Sequence, residues 1–148
     1  MGKQLRVLIV EDSEDDAVLL TRELQKGGYT PIVERVDTPE AMQNSLSDKT
    51  WDVVVSDYIM PKFSGLDALK VLQKSELDLP FIIVSGKIGE DTAVEVMRAG
   101  AHDYIMKSNL KRLIPAIKRE LAEVEVRQER KQVKEDLKQS YAELEEMK

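Results

Sequence analysis

Cysteine is missing from the 148-residue chain, which excludes a disulfide framework, a thiolate zinc site and a cysteine nucleophile, and fits a reducing cytoplasmic setting. Long apolar stretches are missing too. The N-terminus enters a short strand-like run within a few residues, without the extended apolar core of a signal peptide or membrane span, so no membrane insertion is expected. Nor is there an excess of positive charge: 28 Asp and Glu outweigh 22 Lys and Arg, for a net charge of -6. That balance opposes a nucleic-acid-binding surface, which needs clustered cations. Histidine occurs once, at position 102. What remains is a chain that is 42% hydrophobic and 34% charged, enough for one domain with its own core and a polar appendage.

Leu5 to Val10 is a β-branched and aliphatic run that predicts a strand buried on both faces, ending abruptly at Glu11-Asp12. Ser13 is a helix N-cap candidate, followed by Glu14, Asp15 and Asp16 in the electropositive first turn and an apolar face of Ala17, Leu20 and Leu24. Gly27-Gly28 stops that helix. Pro31 to Val36 predicts a second strand, and Thr38-Pro39 opens a second helix with proline at its first position, where a missing N–H does no harm. Further strands are predicted at Trp51 to Ser56, Phe81 to Ser85 and Tyr104 to Met106, separated by helices from Gly65 to Lys74 and from about Asp91 to Arg98. Strand and helix alternate five times with short connections, which predicts an α/β fold: a five-stranded parallel sheet, doubly wound, with helices on both faces.

From about Asn109 the pattern turns helical and continues to the end of the chain. Leu110, Ile114, Ile117, Leu121 and Val124 recur at spacings of four and three, and after a break in phase the rhythm resumes at Val133, Leu137, Leu144 and Met147. The intervening positions are crowded with charge. The expected organisation is a domain over 1–118 and an extended C-terminal helix over 119–148. That helix reads either as a coiled-coil dimerisation segment or as a solvated single helix.

In a parallel sheet, ligands bind beyond the carboxyl ends of the strands. Those ends carry Glu11-Asp12, Asp57, Ser85 and Lys107. Taken singly, Asp12 reads as a turn or capping residue, Ser85 as a loop hydroxyl and Lys107 as a solvated charge. Gathered on one rim, the acids would repel unless a cation sat among them, and an oxygen-rich set with one or two carboxylates suits Mg2+, with Asp12 and Asp57 as direct ligands. Phosphoryl transfer needs charge neutralisation and alignment more than elaborate acid–base chemistry, so a carboxylate nucleophile, a divalent metal, a lysine and a hydroxyl suffice. Asp57 is the nucleophile candidate, because it follows Val53-Val54-Val55-Ser56 where a loop begins. Met60-Pro61 then enforces a turn that would face the backbone carbonyl of Ile59 toward a metal.

From about Leu5 to Ile117 the chain resembles the receiver domains of two-component response regulators. The segments that carry the resemblance are VLIVEDSEDD, VVVSDYIMP followed by SGLDAL, PFIIVSGK, and RAGAHDYIMKSNL. The resemblance implies a flavodoxin-like receiver fold with Asp57 as phosphoacceptor. It also implies a Mg2+ site built by Glu11, Asp12, Asp57 and the Ile59 carbonyl, Ser85 as switch hydroxyl, and Lys107 as the amine that contacts the phosphoryl group. Tyr104 holds the position of the family's switch aromatic, although by its residue type alone it reads as a half-buried strand aromatic. The implied partners are a histidine kinase or phosphotransfer protein as donor, a second copy through the C-terminal helix, and a downstream output domain, as in receivers placed ahead of sensory-box, histidine-kinase or diguanylate-cyclase segments. No dedicated catalytic output is expected in this chain. His102 sits beside a strand and not on a helical bundle, so self-phosphorylation from ATP is not expected either.

One departure stands out. Receivers usually carry proline after this lysine, commonly through a cis bond, whereas Ser108 follows Lys107 here. Cis costs about 2.5–4 kcal/mol before a non-proline residue, so a trans link and a differently shaped loop are expected. Gly86 leaves room near the site, and Lys87 adds a positive charge with no evident role. Dehalogenase-like phosphatases place an Asp-x-Asp motif after the first strand, which Glu11-Asp12-Ser13 does not supply. A flavodoxin-like nucleotide binder needs a Gly/Ser/Thr-rich loop where this one is acidic. A purely structural dimerisation module, never phosphorylated, is the remaining rival.

Overall fold

A computed structural model describes residues 2–86 and 89–147. Five strands, β1 (Lys3–Val10), β2 (Tyr29–Val36), β3 (Val53–Ser56), β4 (Phe81–Ser85) and β5 (Asp103–Met106), alternate with α1 (Glu14–Lys26), α2 (Pro39–Asp48), α3 (Gly65–Ser75) and α4 (Glu90–Ala99). A 3-10 turn over Lys107–Arg112 then leads into α5 (Leu113–Glu146). The strands lie in the order β2-β1-β3-β4-β5, all neighbours parallel.

The alternation of side chains along β1 explains the two layers. Leu8 and Val10 face a core shared with Met42, Leu69, Leu72 and Phe81, whereas Val7 and Ile9 face one shared with Leu24, Leu113 and Ile117. Helices α2, α3 and α4 cover the first face, and α1 and α5 the second. Helix starts follow local chemistry. Ser13 accepts from the Asp16 N–H at 3.2 Å, Thr38 accepts from the Ala41 N–H at 3.1 Å ahead of Pro39, and Ser64 with Asp67 forms a reciprocal capping box.

Several boundaries shift by a few residues from the sequence expectation, β1 beginning at Lys3 and β2 at Tyr29 among them, and two of the shifts have a local cause. β3 begins at Val53, because Asp52 turns its side chain back to accept the Arg6 N–H at 2.8 Å and Trp51 donates its indole N–H to the Ser45 carbonyl at 2.9 Å. The C-terminal helix begins at Leu113, because Asn109, at φ -139 and ψ 52, breaks regular geometry and leaves a 3-10 turn before it.

The two parts of α5 have different surroundings. Leu113, Ala116, Ile117 and Glu120 are buried against the sheet. Arg119 pairs with Asp103 of β5 at 2.8 Å, and Arg127 grips Asp78, just ahead of β4, with bonds of 2.9 and 3.2 Å. The helix therefore runs from the carboxyl ends of the strands, past their opposite ends, and projects onward as exposed helix. At 34 residues it spans about 50 Å. Among the described residues, no helix is long and apolar enough to cross a membrane.

Candidate functional site

The parallel register sets the rim. Val10 pairs with Ser56, Ser56 with Ile83 and Ser85 with Met106, so the residues that follow β1, β3 and β5 emerge side by side. Glu11 and Asp57 are held at the backbone: the Glu11 N–H donates to the Val36 carbonyl at 3.0 Å, and the Asp57 N–H to the Val10 carbonyl at 2.9 Å. Carboxylate oxygens of Glu11, Asp12 and Asp57 all lie within 4.8 Å of one another. Glu11 is only 1% exposed and Asp57 8%, whereas Asp12 is exposed.

Lys107, the residue after β5, reaches into this acidic pocket. Its Nζ lies 2.7 Å from Asp16 Oδ2 and 3.3 Å from both Glu11 Oε2 and Asp57 Oδ2. Burial works against its charge, but the bond to Asp16 and the charges of Asp57 and Glu11 outweigh it and raise its pKa above the ordinary lysine value. Burial and the neighbouring Asp57 charge push the Glu11 carboxyl up to about 7. The other Asp57 oxygen, Oδ1, accepts the Tyr58 N–H at 2.7 Å.

Three residues that the sequence reading did not single out take part. Asp16, read as a helix-start charge, makes the shortest contact to Lys107, and nothing in the run Glu14-Asp15-Asp16 marks which acid turns to the rim. Arg35, beyond the middle of β2, donates to the Glu11 carbonyl at 3.1 Å and pairs with Glu14 at 3.3 Å, bracing the β1–α1 loop. Gly65 opens α3 directly beneath the β3–α3 loop, and its N–H donates to the Tyr58 carbonyl at 2.8 Å. A Cβ there would stand 2.6 Å from the Asp57 carbonyl oxygen, which no side chain tolerates.

The other sequence candidates take these places. Ser85 is buried at the end of β4, two residues beyond the partner of Ser56. Tyr104, half-buried on β5, packs against the core beneath α4 and lines a surface hollow with Ala93, Val94 and Met97. Ile59 lies on the β3–α3 loop with its side chain exposed. Among the described residues every peptide bond is trans, the Lys107–Ser108 link included. Lys87 lies outside the described residues.

A parallel sheet in this order, with an acidic rim crossed by a lysine, defines a flavodoxin-like α/β domain of receiver type. The chain belongs to the response regulator receiver domain family, which matches residues 7–118. It is similar to chemotaxis protein CheY of Thermotoga maritima, 34% identical over 107 residues that cover 72% of this chain and 87% of that one. It is also similar to the alkaline phosphatase synthesis transcriptional regulatory protein PhoP of Bacillus subtilis, 30% identical over 102 residues; these cover 69% of this chain but 42% of that protein, less than half its length. Among solved structures, the signal receiver domain of a signal transduction histidine kinase from Syntrophus aciditrophicus superposes with a TM-score of 0.69 at 29% identity, covering 81% of this chain and 92% of that one.

Proposed function

We propose that this receiver is the phosphoacceptor of a two-component phosphorelay: Asp57 takes a phosphoryl group from a histidine kinase or phosphotransfer protein, and the change is passed outward along α5. The observation that carries this reading is the Lys107 amine held within 3.3 Å of the Asp57 carboxylate in a pocket shared with Glu11 and Asp16.

The donor set fits Mg2+. Three carboxylates whose oxygens gather within 4.8 Å, one of them buried and pushed up to about 7, form a hard, oxygen-rich and electrostatically unfavourable cluster that a divalent cation relieves. Asp12 and Asp57 would be direct ligands, with Glu11 and the Ile59 carbonyl completing the protein's share. When bound, the ion supplies positive charge to the equatorial oxygens of the phosphoryl group.

The chain's own residues do the rest. An Asp57 carboxylate oxygen attacks the donor's phosphorus, and the bond from phosphorus to the donor breaks with its electron pair leaving on the donor. Because Oδ1 is held by the Tyr58 N–H and Oδ2 faces Lys107, the carboxylate is oriented before reaction. Lys107 then moves its charge from carboxylate to phosphoryl oxygen, and the Ser85 hydroxyl donates to another. Tyr104, on the neighbouring strand, fills the space that Ser85 leaves. The phosphate shifts shape only by favouring the conformer in which Ser85 and Lys107 close on it. The working division is a receiver over 1–118 and a helical segment over 119–148 that connects to an output domain and to a second copy, the first part of that segment still held by Arg119 and Arg127.

Incubation with a small acyl phosphate and Mg2+, followed by intact-mass measurement, tests the reading. Wild type is expected to gain the mass of one phosphoryl group and Asp57→Ala none. Equal gain by both proteins, or by neither, overturns it.

A further inference from the structure

The burial pattern of α5 changes where the helix leaves the domain. Up to Glu120 its inward side chains are covered by the sheet, whereas every described residue from Glu125 to Met147 is exposed. Exposure there is not random in kind. Val126, Val133, Leu137, Leu144 and Met147 are large apolar side chains in water, and they fall on the d, d, a, a and d positions of one continuous heptad. Arg130 and Ser140 hold the two intervening core positions.

The flanking positions carry a sorted charge pattern. On the g side stand Glu129, Asp136 and Glu143, all acidic; on the e side stand Arg127, Lys134 and Tyr141, with no acid among them. In a parallel pair each g residue meets the e residue five positions later on the other strand, which sets Glu129 against Lys134 and Asp136 against Tyr141. In an antiparallel pair g meets g and e meets e, which sets acid against acid and cation against cation. The pattern favours one polarity. Arg130 agrees with it, because a charged residue at an a position can reach past the seam of two strands toward the Glu129 carboxylate of the other copy, but would be buried in a bundle of three or four.

We propose that residues 126–147 form one strand of a parallel, in-register, two-stranded coiled coil with a second copy of this chain. This deepens the reading of α5 as the output element, naming its partner's polarity and register. Because α5 projects from the ends of the strands opposite the acceptor rim, such pairing sets both Asp57 sites facing away from the coil and delivers both C-termini together at its far end. Arg127 is already held by Asp78, so the interchain charge contacts begin at Glu129 and the direction in which the seam leaves the domain is fixed by that grip.

The test uses the full chain, whose lack of cysteine makes any introduced thiol unique. Ser140→Cys and Met147→Cys, each alone, are expected to cross-link to themselves under mild oxidation. A mixture of Val126→Cys and Met147→Cys chains is expected to give no mixed product. Glu129→Lys and Lys134→Glu should each weaken association roughly tenfold or more, measured by sedimentation, because each sets like charges opposite across both copies of the pair. Mixing the two variants should restore pairing that neither shows alone. A mixed 126–147 cross-link, a trimer, or a monomer at every concentration overturns the proposal. Because all arms are run without phosphodonor and repeated with Asp57→Ala, failure here is distinguishable from failure of phosphoryl uptake.

Discussion

The acidic rim and the outer half of α5 are both dense in charge, yet they use it in opposite ways. At the rim, Glu11 and Asp57 are withdrawn from water and kept there by Lys107, so each charge depends on its neighbours. Along α5 beyond Arg127 the charges stand in solvent, where an individual pair contributes about 0.2–1 kcal/mol. Identical residue types are therefore machinery in one place and solubility or pairing preference in the other. Burial decides which.

Breaking the rim should show the largest effect. Lys107→Ala leaves Glu11, Asp16 and Asp57 facing one another without their shared cation, and is expected to slow phosphoryl uptake by about a hundredfold or more in a mass-resolved time course. Lys134→Ala, the same truncation on the outer helix, should leave that rate within a factor of about two; a comparable loss in both would erase the distinction.

The same contrast holds for apolar residues within α5. Ile117 is fully covered by the sheet, so Ile117→Ala is expected to cost about 2–5 kcal/mol in denaturant unfolding. Leu137→Ala removes a similar side chain from water-exposed helix and should change the unfolding of dilute protein by less than about 0.5 kcal/mol.

Glu120 lies between these regimes, 5% exposed with Oε2 unpartnered among the described residues. Burial, with Glu123 adding to it, raises its pKa above the ordinary carboxylate value. Glu120→Met keeps the length and removes a charge that the site disfavours, and a gain of about 1 kcal/mol is expected in thermal unfolding. A clear loss would mean that Arg119 and Arg127 hold it more strongly than their place in solvent implies.

His102 should give the smallest effect. Burial, and after it the Arg127 charge, lowers its pKa, so the unfolded chain takes up a proton first. Stability contributed at this position is complete above the ordinary histidine value of 6.5 and declines as pH falls below it, because there the unfolded state binds more protons. The unfolding midpoint of wild type should accordingly fall more steeply than that of His102→Asn below this value and run parallel to it above, offset by whatever the Phe81 N–H bond to His102 Nδ1 contributes.

Much of the fold was legible in the sequence because each element carried its own signal. The Leu5 to Val10 run, the Ser13 and Thr38 caps and the five-fold alternation are local, and the parallel order places their ends together without further information. The residues of the rim were legible as a set for the same reason: they sit at the ends of four strands, β1, β3, β4 and β5. Asp16 and Arg35 were not, because a helix-start acid and a strand arginine look like solvated charge until the chain folds the β1–α1 loop between them. Gly65 was hidden differently. Its role is a distance to the Asp57 carbonyl, which no spacing in the sequence encodes. The heptad was visible, but not the place where α5 ceases to pack on its own domain, which lies beyond Glu120, with Arg127 still reaching Asp78 across 49 positions.

Reductive trapping tests the assignment of the acceptor most directly. After treatment with a small acyl phosphate and Mg2+, borohydride converts an aspartyl phosphate to homoserine, and peptide mass mapping then locates it. Homoserine is expected at position 57, with Asp12 unmodified. Modification at Asp12 or another carboxylate, or none under conditions where the protein gains phosphate mass, would contradict the assignment of Asp57 as the acceptor.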